Sequence, residues 1–179
     1  ASARTMLPVI AADILHTDAH GYGLLSAAQS VGSVIAGLVA SLRHDIPRQG
    51  RVLLISVIVY GLATALFGLS TNFALSYFLF AITGAADTVS TVIRGTMRQL
   101  LTPDHLRGRM VGINMLFFMG GPQLGEAEAG LVASRWGIVA SVVSGGLLCL
   151  ACSTLVAWRY PTLRQYDGPH NVPAPAASH

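Results

Sequence analysis

Five long apolar segments follow one another along the chain, and they constrain its fold more than any other feature. Three of them contain no charged residue, one contains only Asp87, and one contains Glu126 and Glu128. A membrane-spanning helix needs about 20 mostly apolar residues, whereas a membrane β-strand shows alternating hydrophobicity, which these segments lack. We therefore predict membrane-spanning helices at 22–42, 52–69, 73–93, 110–134 and 137–158.

The two ends of the chain differ from these segments. As a helix, the apolar stretch 5–15 would be about 16 Å long, roughly half of a hydrocarbon core of about 30 Å. We expect residues 1–15 to be the last part of a membrane helix and residues 1–165 to form one membrane region. The segment 166–179 is rich in Pro and Ala, which predicts a disordered cytoplasmic tail. The expected fold class is an all-α integral membrane protein.

The charge of the chain supports a membrane location. Charged residues make up 11% of the chain, whereas soluble domains carry about 25%, so a soluble enzyme, a nucleic-acid-binding protein and a disordered chain are excluded. Nine of the eleven arginines fall on one side of the predicted topology, namely Arg43, Arg48, Arg51, Arg94, Arg98, Arg107, Arg109, Arg159 and Arg164. Only Arg135 falls opposite. We expect the arginine-rich loops and the C terminus to be cytoplasmic, in contact with lipid headgroups, with no nucleic-acid partner.

Asp87 is the first charged group expected inside the bilayer. A charge near the centre of a membrane helix costs about 2.5–3.5 kcal/mol on insertion scales, so it needs a partner or access to water. Arg94 follows two helical turns later on the same face, with Ser90 and Thr91 between them. Either Asp87 and Arg94 form a charge-compensated column, or Asp87 only ties neighbouring helices together.

Glu126 and Glu128 lie in the second half of the predicted helix 110–134. They point to different faces because they are two residues apart. The sequence Met-Gly-Gly-Pro at 119–122 predicts a kink or an unwound turn just before them. Gln123 and Glu126 would then share a face beside the break, as in a substrate or proton site. Glu128 and Asn114 are predicted to be structural, through hydrogen bonds between helices. Arg4 would be a cation available to neutralise a carboxylate if the first helix is truncated, or else a snorkelling side chain.

Stripes of small residues predict where helices pack closely. One stripe consists of Ser26, Ser30, Ser33, Gly37 and Ser41, and another of Gly125, Ala129 and Ala133.

Signs of enzymatic chemistry are weak. The sequence contains neither H-E-x-x-H nor G-x-S-x-G, and its histidines fall in predicted loops or in the tail. Cys149 and Cys152 form a C-x-x-C inside an apolar run, without a second pair, and are interpreted as two small apolar residues. No enzyme activity, metal or cofactor is predicted.

Several local sequences, with the order of the apolar segments and the basic loops, resemble a known family. They are LPVIAADIL, GYGLLSAAQSVGSVIAG, FGLSTNF, GAADTVSTVIRGTMRQLLTPDHLRGRM, QLGEAEAG and RYPTLRQYD. The chain resembles the C-terminal half of a major facilitator superfamily transporter, in the branch of the enterobactin exporter and related multidrug exporters. A cytoplasmic loop motif of that superfamily is similar to Pro103, Asp104, Arg107, Gly108 and Arg109.

The resemblance implies that this chain is the C-terminal six-helix half of a twelve-helix transporter, with the N-terminal half as its missing partner. It also implies export of a small molecule across the bacterial inner membrane by alternating access, coupled to proton flow. Glu126 is then the preferred coupling carboxylate because of its depth and the predicted break, and Asp87 is the second. The alternative is a non-transporting membrane scaffold or an inactive truncated fragment, because half a transporter encloses no pathway.

Overall fold

The structure, a computed structural model, describes residues 6–15, 17–42, 48–102 and 106–159. It consists of helices α1 (Leu7–Val9, continued by a π-helical turn at Ile10–Ile14), α2 (Ala19–Leu42), α3 (Gln49–Leu69), α4 (Phe73–Leu101), α5 (Arg107–Trp136) and α6 (Ile138–Arg159). No strand occurs in these described ranges, which confirms the all-α fold class. The predictions for Arg4, Pro103, Asp104 and the tail at 166–179 lie outside the described residues, and so does the side chain of Arg107.

Four of the helices are long and apolar enough to cross a membrane. These are Ala19–Leu42, Gln49–Leu69, the part of α4 at Phe73–Gln99, and Ile138–Arg159. The 30-residue α5 has the length but is not among them. It contains Pro122 and the polar residues Gln123, Glu126 and Glu128, which lower its hydropathy.

α2 and α4 run parallel to each other and approach closely. The hydroxyl of Ser33 donates a hydrogen bond to the carbonyl oxygen of Gly84 (3.1 Å), and Gly37 faces Thr88 one turn later. A Cβ atom added at Gly84 would overlap the carbonyl oxygen of Gln29, so only glycine permits this separation of the two backbones.

The stripe predicted on α2 matches the packed face only in part, at Ser33 and Gly37, which contact α4. The buried face of α2 is formed by Leu25, Ala28, Gln29, Gly32 and Ala36. Ser30 and Ser41 of the predicted stripe are exposed, and Ser33 and Gly37 are half-buried beside this face. Neighbouring residues point about 100° apart on a helix, and both faces of α2 carry small residues, so size alone did not identify the packed one.

α3 and α6 run antiparallel, and glycines again set their separation. A Cβ atom at Gly146 of α6 would lie 2.8 Å from the carbonyl oxygen of Gly61 in α3. At the C-terminal end of α3, Gly68 faces Val142 near the N-terminal end of α6, as antiparallel packing requires. α3 also packs against α4, to which a short connection joins it. In that connection, the side chain of Asn72 accepts hydrogen bonds from the first backbone N–H groups of α4 and so caps the helix.

α5 packs against α6, from which only Gly137 separates it, and most of its other surface is exposed. The hydroxyl of Ser141 donates a hydrogen bond to the carbonyl oxygen of Ala129 (2.9 Å) across this contact. Ala129 is buried, which confirms the second small-residue stripe at its central position.

Because α2 and α4 run parallel and α3 and α6 run antiparallel, the two ends of the bundle can be told apart. The N-terminal ends of α3 and α5 lie at the same end as the C-terminal ends of α2, α4 and α6. Six described arginines gather there: Arg48, Arg51, Arg94, Arg98, Arg109 and Arg159. We call this the arginine end. The main hydrophobic cluster lies toward the opposite end, where the rings of Phe67 and Phe80 pack with their centroids 5.0 Å apart.

Candidate functional site

A cavity of about 220 Å³ lies where α3, α4 and α6 meet. It is lined by Val57, Tyr60, Ala86, Asp87, Ser90, Arg94 and Cys149. We call it the Asp87 cavity. Asp87, Ser90 and Arg94 share it because residues at positions i, i+3 and i+7 fall on one face of a helix. The cavity is therefore bordered by a carboxylate and a guanidinium group, and both of these side chains are exposed.

Arg94 is held by α4 itself. Its Nε donates a hydrogen bond to the carbonyl oxygen of Ser90 (3.2 Å), and its Nη2 donates one to the hydroxyl of Thr91 (3.3 Å). No described residue forms an ion pair or a hydrogen bond with the Asp87 side chain. The two charged groups thus share one cavity without direct contact. The guanidinium group of Arg94 is instead hydrogen-bonded to Ser90 and Thr91.

Two other helix contacts position this cavity. Gly84, three residues before Asp87, fixes the separation of α4 from α2. Cys149 closes the α6 side, with its thiol sulfur 3.9 Å from the carbonyl oxygen of Val57 in α3. Cys149 and Cys152 are both free cysteines. A sequence reading could find the spacing of Asp87, Ser90 and Arg94, but Tyr60 and Cys149 come from other helices and gave no local signal.

The region around Glu126 is built differently from the prediction. α5 continues as an uninterrupted α-helix through Pro122, so the predicted unwound turn is wrong. Proline removes one backbone donor, and the remaining i→i−4 hydrogen bonds of a 30-residue helix persist on either side. Glu126 and Gln123 are both exposed on this helix.

The remaining predicted residues are scattered along α5. Gln123 borders a shallow groove of about 440 Å³ whose described lining comes from α5 alone. Glu128 is exposed, and Asn114 is half-buried. Within the described ranges neither side chain makes a hydrogen bond. Gly108 and Arg109 of the loop motif are exposed at the start of the helix. The structure therefore brings Asp87 and Arg94 together and leaves Glu126 apart from them.

Comparison with known proteins assigns the chain to a family. Residues 1–176 match the major facilitator superfamily group described as transmembrane secretion effector. The chain belongs to this family. As a result the helices, the Asp87 cavity and the arginine end are parts of a membrane transporter fold.

Curated relatives agree with this assignment. The chain is 28% identical over 171 residues to the enterobactin exporter EntS of Citrobacter koseri, covering 95% of this chain and 41% of the relative. It is 30% identical over 164 residues to EntS of Escherichia coli O1:K1 / APEC, covering 91% and 39%. For EntS of Shigella flexneri the identity is 30% over 166 residues, covering 93% and 40%. The chain thus spans about two fifths of the length of these relatives. No solved structure matches it.

Proposed function

We propose that this chain is the C-terminal half of a secondary active exporter that moves a small molecule across the bacterial inner membrane by alternating access. The match to the secretion effector family along 1–176 is the observation that carries this proposal. Four helices of membrane-spanning length and composition support it, and α1 and α5 would complete the six helices of one half.

Asp87 is the carboxylate that we propose for proton coupling. A carboxylate within a membrane-spanning helix is costly while charged, and taking up a proton removes that cost. Asp87 is exposed in the structure of this chain, and it borders a cavity that Arg94 also lines. Movement of α3 or α6 against α4 would change the water access of this cavity, and with it the protonation of Asp87.

Glu126, which the sequence analysis preferred for this role, is here the second candidate. It lies on an exposed face of α5, and it lines neither the Asp87 cavity nor the groove beside Gln123. Its role would require the N-terminal half to cover α5 and to enclose the carboxylate. Asp87 is exposed as well, but it lines a cavity that this chain alone forms from α3, α4 and α6 and that also contains Arg94.

Transport into inside-out membrane vesicles tests the proposed function. Enterobactin, the substrate in the name of the relatives, is the first compound to test. We expect vesicles that contain the full-length protein to accumulate enterobactin when respiration acidifies their interior, and to lose it when a protonophore is added. Accumulation that survives the protonophore would contradict proton coupling. If neither enterobactin nor a panel of other small exported molecules accumulates, the scaffold alternative replaces the exporter.

A further inference from the structure

A second cavity, of about 440 Å³, opens at the arginine end between the last turns of α4 and the first turns of α5. Its lining consists of Gly95, Arg98, Gln99, Thr102, Met110 and Val111. The α4 side supplies the polar groups and the α5 side supplies two apolar side chains. We call it the α4–α5 cleft. A ligand that fits both walls must carry a polar group and an apolar part.

The polar wall of the cleft is positively charged. The Nε of Arg98 donates a hydrogen bond to the carbonyl oxygen of Arg94 (3.2 Å), which holds the guanidinium group at the cleft. Its two terminal nitrogens have no acceptor among the described residues, and no described carboxylate lies within ion-pair distance of them. The terminal nitrogens of arginine match the oxygens of a phosphate group, to which they donate paired hydrogen bonds.

The apolar wall continues along α5 beyond the cleft. Val111 is 63% exposed, and Leu116, farther along the helix, is 75% exposed. A free inorganic anion would make no use of this surface, whereas the acyl chain of a lipid would cover it. Anionic headgroups are attracted to clusters of arginine at a membrane surface.

We propose that the α4–α5 cleft binds an anionic phospholipid, with the phosphate on Arg98 and an acyl chain along Met110 and Val111. Gln99 and Thr102 supply further polar groups to the headgroup. This site is separate from the Asp87 cavity and does not depend on the transported substrate or on proton coupling.

The test measures lipid binding to the purified full-length protein by native mass spectrometry. The protein is titrated with phosphatidylglycerol, with zwitterionic phosphatidylcholine and with inorganic phosphate. We expect phosphatidylglycerol to bind most tightly, and Arg98→Gln to weaken its binding by about tenfold, as expected for the loss of a charge-assisted contact. Arg109→Gln, which removes an exposed arginine at the same end, should change binding by less than about twofold.

A second variant tests the cleft by filling it, without removing the charge of Arg98. A Cβ atom at Gly95 would meet no atom within 4 Å, so the side chain of Gly95→Leu begins in open space, and we expect it to fill part of the cleft. Gly112→Leu is its control on α5, where a Cβ atom likewise meets no neighbour. We expect Gly95→Leu to block phosphatidylglycerol and Gly112→Leu to leave it bound.

Four results would each overturn the proposal. Equal losses in Arg98→Gln and Arg109→Gln would show a diffuse charge effect. Equal binding of the two lipids would show that the negative charge is not recognised. Displacement of the lipid by millimolar inorganic phosphate would assign the cleft to a soluble anion. If Arg98→Gln does not fold, normal lipid binding by Gly95→Leu is sufficient to reject the cleft.

Discussion

Ser33 of α2 donates its hydroxyl hydrogen to the carbonyl oxygen of Gly84 in α4, over 3.1 Å. A serine side chain is short, so this bond requires the backbones of the two helices to lie very close together. Gly84 makes that approach possible, because any larger residue there would overlap Gln29. Asp87 follows on the next turn of α4, and the same contact therefore sets the position of the proposed coupling carboxylate.

Gly84→Ala tests this packing. The added methyl group would force α2 and α4 apart, and overpacking of this kind costs about 1–3 kcal/mol. We expect a lower midpoint of thermal unfolding and less monodisperse protein after detergent extraction. Gly130→Ala is the control, because a Cβ atom there meets no neighbour. It should be neutral or stabilising, by up to about 1 kcal/mol. Equal stability of the two variants would show that the tight crossing is not required.

Asp87→Asn and Glu126→Gln separate the two candidates for proton coupling. We expect Asp87→Asn to abolish export driven by the pH gradient while it preserves exchange of labelled for unlabelled substrate, because exchange needs no net proton movement. Glu126→Gln should retain driven export, and so should Glu128→Gln, which removes an exposed carboxylate on the same helix. Transport into inside-out vesicles measures both activities. Loss of driven export in Glu126→Gln alone would return the coupling role to that residue.

Cys149→Phe tests whether the Asp87 cavity is needed for transport. The larger side chain would occupy much of a cavity of about 220 Å³. We expect export to fall at least about tenfold, because displacing the groups of a functional site by about one ångström has effects of that order or larger. Cys152→Phe places the same ring one turn away on an exposed surface and should leave export unchanged. Both variants are compared at equal amounts of folded protein, and full export by Cys149→Phe would exclude a role for the cavity.

Pro122→Ala addresses the break that the sequence predicted and the structure does not contain. Alanine restores a backbone donor within a continuous helix, so we expect the thermal midpoint to stay the same or to rise. Export should also be retained. A variant that is stable but inactive would show that Pro122 bends α5 in another state of the transport cycle.

Cysteine labelling checks the orientation in the membrane. In a protein with Cys149 and Cys152 replaced by serine, a membrane-impermeant maleimide added to intact cells should label Thr71→Cys. It should fail to label Arg109→Cys until the cells are permeabilised, because the arginine end is predicted to be cytoplasmic. Labelling of Arg109→Cys in intact cells would reverse the topology.

The positions of the helices were largely predictable from local sequence. Long apolar runs leave the backbone no alternative to hydrogen bonding within a helix. The interruption predicted at 70–72 is a real connection, and the one predicted at 135–136 lies next to the observed break at Gly137. The unwound turn that was one alternative at 119–122 is wrong, because α5 continues as one α-helix through Pro122. The small-residue stripe predicted on α2 is right only in part, because two adjacent faces of α2 carry small residues and the packing of α4 distinguishes them.

Three properties follow from the amino-acid sequence alone: the all-α membrane class, the clustering of arginines, and the helical spacing that places Asp87, Ser90 and Arg94 on one face. These properties depend on composition and on a period of 3.6 residues, which are local quantities. Which helices lie beside that face depends on the tertiary structure. Cys149 lines the same cavity as Asp87 because Gly61 and Gly146 bring α3 and α6 together and α4 packs on α3. Contacts between residues so distant in sequence arise from the fit of whole helix surfaces, which no local pattern encodes.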